Sequence, residues 1–148
     1  MSGQILVPVD GSDHALEGLK VACSLAKADG KAIKLLHVVP NTAVPEALKR
    51  FAEVEHIQDT PQYLYEAGIA ENILNMARDR AAEAGIDNVE TEIEYGDAAK
   101  GILKVVSAGD VDTVVMGSRG LSDIQGLVLG SVAHKVSHGA DCRVVTVK

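Results

Sequence analysis

Ile5-Leu6-Val7-Pro8-Val9 runs without a gap into Asp10-Gly11-Ser12-Asp13. The first five residues are apolar, rich in branched side chains and continuous rather than alternating, the pattern of a short strand covered on both faces. Asp10-Gly11-Ser12 then turns the chain, and Ser12 or Asp13 stands where a helix cap is needed. The helix that follows places Leu16, Leu19, Ala22, Cys23 and Ala26 on one stripe and stops near Asp29-Gly30. A doubly covered strand feeding a helix is the opening of a parallel β–α–β unit.

The rest of the chain repeats that alternation. Ala32 to Val39 predicts a second strand, ended by Pro40. Residues 41–61 form a long excursion with room for one short helix around Glu46 to His56, and their position suits a lid. Beyond Pro61 a helix buries Leu64, Ala67, Ala70, Ile73, Leu74, Ala77, Ala81 and Ala84, and Gly85 closes it. Asn88 to Tyr95 alternates, with Val89, Thr91, Ile93 and Tyr95 on one face, as at a sheet edge. Asp97 to Ser107 predicts a helix burying Ala98, Ile102, Val105 and Val106. Val111 to Met116 is a further buried strand, Ser131 to Ser137 a last helix ended by Gly139, and Val144 to Val147 a last strand. Five strands alternating with about four helices imply an α/β fold, parallel pairing, right-handed crossovers and helices on both faces of the sheet. Ligands of such sheets collect beyond the carboxyl ends of the strands.

Composition narrows the class. A chain of 148 residues fits one domain, 1–148, and 47% hydrophobic against 24% charged residues is a globular balance, which sets disorder aside. The net charge of −7 argues against nucleic acid and anionic membrane surfaces as partners. Cys23 and Cys142 lie far apart, outside any metal or redox spacing, and are expected as reduced, packed residues. Met1-Ser2-Gly3-Gln4 leads straight into the first strand and no apolar run reaches the ~20 residues of a membrane helix, so a cytoplasmic protein is expected.

Chemistry concentrates after the fourth strand, in Gly117-Ser118-Arg119-Gly120, nine further residues, then Gly130-Ser131. Glycines let a backbone approach a phosphate, and a helix opening at Ser131 directs unsatisfied N–H groups and a positive dipole end at an anion. Arg119 adds a cation to an otherwise acidic chain.

The spacing Gly117-x2-Gly120-x9-Gly130-Ser131 resembles the nucleotide loop of the ATP-binding branch of the universal stress protein family. Ile5 to Ser12, Leu36-His37-Val38-Val39, Leu129 to Ala133 and Val144 to Val147 are similar to other segments of that family, in order along the whole chain. The resemblance implies a three-layer sandwich around a parallel sheet of order 3-2-1-4-5, of the adenine nucleotide alpha hydrolase-like kind. It also implies a homodimer joined through the last strand. Carried over residue by residue, it implies Asp10 beside the adenosine and Pro8, Val9 and Val38 near the adenine. Met116 and Gly117 would flank the ribose; Gly120, Gly130, Ser131 and Val132 would hold the phosphates, with Arg119 nearby. ATP, or else ADP or AMP, is the implied ligand, with Mg2+ and Asp10 as the metal's protein contact. Two positions depart from the family pattern: Asp123 puts a carboxylate inside the loop, and Arg143 stands where a proline is frequent.

Other constellations are set aside. His134 and His138 share a helix face, but no third ligand accompanies them. His37 is expected as a packed residue rather than a base. There is no Walker A sequence, no phosphoryl-transfer constellation and no Gly-x-Ser-x-Gly elbow. With no Trp and one Phe, Phe51, flavin stacking is poorly served. The expectation is therefore a nucleotide-dependent interaction module acting on a client that the sequence does not identify. The alternative is a slow ATPase or an ATP-dependent transferase.

Overall fold

The computed structural model describes residues 3–40, 50, 54, 66–120 and 129–148. The expected short helix within the 41–61 excursion, and Asp123, lie outside the described residues.

Strand β1 (Gln4–Pro8) leads to α1 (Asp13–Asp29), then β2 (Ile33–Val39). A π-turn, Glu66–Ala70, runs directly into α2 (Glu71–Glu83), followed by β3 (Val89–Tyr95) and α3 (Ala98–Ala108). The chain finishes with β4 (Val111–Gly117), α4 (Ser131–Gly139) and β5 (Arg143–Val147). All pairings are parallel and the sheet order is β3-β2-β1-β4-β5. The expected fold class and order are those observed.

The sheet is covered on both faces by different residues of the same strands, as the period of two requires. Ile5, Val7, Ile33 and Leu35 pack with Leu19, Ala22, Cys23 and Ala26 of α1 and Leu74, Ala77 and Ala81 of α2. Leu6, Leu36, Val114 and Met116 pack with Ile102 and Val105 of α3 and Ala133 and Val136 of α4. Side chains alternating through β1 thus belong to two separate cores, which explains its unbroken apolar sequence. Ser12 caps α1, its Oγ accepting from Ala15 N–H at 3.2 Å, and Asp97 caps α3 through Lys100 N–H at 3.0 Å.

Several expected core positions differ. Leu16, Ala84, Ala98 and Val106 are only half-buried, and Ala15, Gly18 and Ala99 carry the tight contacts instead. Other expected positions are buried as read, Leu19, Ala22, Cys23 and Ala26 in α1, Leu74, Ala77 and Ala81 in α2, and Ile102 and Val105 in α3. β3 is an edge strand, as its alternation implies; on the face where Val89 and Ile93 pack against the core, Thr91 and Tyr95 stay exposed, Tyr95 to 48%. Cys23 is buried and Cys142 half-buried, both free, and burial pushes both thiols up.

The acidic edge is held by ion pairs. Lys34 meets Glu92 at 2.9 Å, and Lys104 meets Glu94 at 3.0 Å. The hydrogen bond from Lys34 holds the Glu92 carboxyl below its usual range, against an opposing push from burial. A depressed carboxylate contributes stability above its unfolded-state value and loses it as pH falls through the folded one. Urea midpoints are therefore expected to decline as pH drops below about 4, with a shallower decline in Lys34→Met. Parallel acid limbs in the two proteins would contradict this.

Candidate functional site

The strand order reverses beside β1, whose two neighbours are β2 and β4. Above that point, at the carboxyl ends of the strands, lies a cavity of about 370 Å³. Its position is the one that open parallel sheets use for ligands, and its size falls within the range of small-molecule sites.

Nine of the eleven residues singled out in the sequence line this cavity. They are Pro8, Val9 and Asp10 at and beyond the end of β1, Val38 near the end of β2, and Met116, Gly117, Arg119 and Gly120 at and beyond the end of β4, with Val132 from α4. The walls are mainly apolar, and Asp10, His37 and Arg119 are the ionisable residues among those lining it. Ile69 of the π-turn, Ile73 of α2, Ala98 and Ile102 of α3 complete the enclosure. Sequence periodicity could not have flagged Ile73, Ala98 and Ile102, because each reads as an ordinary core position on its own helix, and Ile69 falls outside the apolar stripe of its helix. Ile69 carries a further signal, being 42% exposed where a buried side chain would be expected. Its π-turn is tied by Asn72 Nδ2 donating to the Gly68 carbonyl at 2.7 Å.

Asp10 sits in a tight turn. Its Oδ1 accepts from Ser12 N–H at 2.9 Å, and Gly11 takes φ +89°, where a side chain would be strained. Asp10 is therefore a turn-forming residue and a cavity residue at once. Among the described residues no group of three or more His, Cys, Asp or Glu side chains converges on a metal position. Magnesium accompanying a nucleotide does not need such a cage, since phosphate and water oxygens supply most of its ligands and one carboxylate suffices from the protein. His134 and His138 are exposed on α4 with ring centroids 4.4 Å apart, and no third ligand joins them among the described residues.

Gly130 and Ser131 do not line the cavity. Gly130 is the N-cap of α4, and its N–H donates to the Ser118 carbonyl at 2.5 Å while Ser118 N–H donates to the Val147 carbonyl at 2.7 Å. The expectation that the Gly130 amide holds a phosphate thus meets a competing bond, one that pins the two ends of the glycine segment together. The helix N–H groups that follow, at Ser131 and Val132, belong to the first turn and have no intrahelical acceptor. Among the described residues no side chain caps them.

Gly117 has a structural reason of its own. A Cβ placed there would lie 2.7 Å from the carbonyl carbon and Cβ of His14 in α1. The first glycine of the motif is therefore demanded by helix–strand packing, whatever the cavity holds.

The universal stress protein family model matches residues 1–148. The universal stress protein YxiE of Bacillus subtilis is 35% identical over all of both chains. Among solved structures, the universal stress protein UspA of Lactobacillus plantarum superposes with a TM-score of 0.78 at 26% identity, covering 99% of this chain and 97% of its own. A universal stress protein in complex with cAMP superposes at a TM-score of 0.71 and 24% identity, covering 100% and 98%.

Proposed function

The chain belongs to the universal stress protein family, and from that premise we propose that it binds ATP with Mg2+ in the cavity above β1 and β4. On this reading it acts as a nucleotide-dependent interaction module. The observation that carries the reading is the gathering of nine motif residues around one cavity of nucleotide size. The cAMP complex of a protein with the same fold adds support at the level of architecture.

The adenosine lies against Pro8, Val9 and Val38, with Asp10 at its sugar. The phosphates run toward the start of α4, where the Ser131 and Val132 amides and the helix dipole favour negative charge, and Arg119 adds a cation. Asp10 would be the protein's contact to the magnesium, which would neutralise the phosphate oxygens. Binding then changes the surface offered to a client, a ligand-driven shift of population. The protein works as a homodimer joined through β5.

Titration calorimetry with ATP and magnesium tests the reading, and absence of heat at millimolar nucleotide would overturn it. Ser131→Ala removes at most one hydroxyl contact, so a loss of about 1 kcal/mol, or five- to tenfold in Kd, is expected. A larger loss would mean that the Ser131 side chain, not its amide, carries the phosphate. Client affinity that is equal with and without ATP would remove the regulatory half of the reading. Turnover that vanishes in Gly120→Val would replace it with a slow ATPase.

A further inference from the structure

His37 is 4% exposed and lines the cavity, although it stands in the middle of an otherwise apolar strand segment. Its Nδ1 lies 2.8 Å from the Val9 carbonyl oxygen. A carbonyl only accepts, so Nδ1 carries the proton, and Nε2 is left buried with no partner among the described residues. Burying an imidazole with one nitrogen unpaired costs stability that a leucine there would not. The compensating use is at the other nitrogen.

Strand β1 ends at Pro8, so sheet pairing stops controlling the chain one residue before the cavity turn begins. Val9 is nevertheless held at both ends: its N–H donates to the Leu36 carbonyl at 2.8 Å, and its carbonyl accepts from His37. The Val9–Asp10 peptide is planar, so fixing that carbonyl fixes where the Asp10 Cα lies. From the imidazole of β2 the geometry points to His37 as the positioning residue for Asp10. It clamps the Val9 carbonyl and thereby sets the Asp10-Gly11-Ser12 turn at the wall of the cavity. His37 acts through Val9. This rests on the nucleotide reading only for its consequence in binding; the clamp itself is a property of the chain alone.

The test compares His37→Leu, which removes the donor, with His37→Asn, whose Nδ2 falls near the position of Nδ1 and restores it. Hydrogen exchange of the Ser12 amide, which bonds to Asp10, reads the turn without any nucleotide. Exchange is expected to quicken about tenfold or more in His37→Leu and to return toward the parent rate in His37→Asn. Calorimetry with ATP and magnesium is expected to follow the same order, with Kd about tenfold weaker for His37→Leu and within about twofold of the parent for His37→Asn. Unchanged Ser12 exchange in His37→Leu would overturn the proposal. So would equal changes in both variants, which mark a general packing defect. A parent protein that binds no ATP while the exchange pattern holds would sink the nucleotide reading and leave the clamp standing.

Discussion

Gly130→Val is expected to weaken ATP binding on the order of a hundredfold, about 2.7 kcal/mol, while leaving the fold intact. The backbone at Gly130 is extended, with φ −69° and ψ 163°, a conformation that valine adopts readily. Its N–H still reaches the Ser118 carbonyl, so the base of the loop stays closed. What changes is the space in front of the first turn of α4, where two methyl groups would stand between a phosphate and the Ser131 and Val132 amides. Calorimetry and a thermal melt together check this. Retained affinity would refute the placement of the phosphates, whereas a collapsed melting temperature would show that the glycine serves packing.

Gly117→Ala is expected to fail in the opposite way. An added Cβ would meet backbone and Cβ atoms of His14 at 2.7 Å, and Gly18 of the same helix faces Gly117 N at 3.2 Å from its own Cβ position. No rotamer relieves a contact with backbone, so α1 would have to lift from β4. Overpacking of this kind costs about 2–3 kcal/mol, which lowers Tm by roughly 5–10 °C in a domain of this size. Differential scanning calorimetry of the free protein measures it. A Tm equal to that of the parent would mean that α1 rests on β4 more loosely than the geometry implies. The two variants separate glycines that a motif treats alike.

The strand–helix alternation was readable because each buried strand is a continuous apolar run and each helix has a cap or a glycine at its ends. Ser12 and Asp97 are such caps, and the structure uses both. The glycines and Asp10 were readable because they stand at or just beyond strand ends, where a parallel sheet keeps its cavity, while Pro8, Val9, Val38, Met116 and Val132 came from the family resemblance. The remainder was not, for physical reasons. Ile69, Ile73 and Ala98 reach the cavity only through the packing of three separate elements, which one-dimensional spacing does not encode. Thr91 and Tyr95 share the face of Val89 and Ile93, yet stay exposed because an edge strand is only partly covered. His37 looked like a packed residue and is one; its hydrogen bond to Val9, 28 positions away, is invisible without the sheet register.

The two margins of the sheet are chemically unequal. β3 carries Glu90, Glu92 and Glu94 within seven residues, while β5 reads Arg143-Val144-Val145-Thr146-Val147. A second copy laying its own β3 along this one would set two glutamate rows side by side, partly offset by Lys34 and Lys104, and like charges across a strand pair are unfavourable. If two copies join at β5, every remaining outer margin is a glutamate row. Growth then stops at a pair, and the same three side chains that do nothing for the cavity would keep the sheet from extending into fibres.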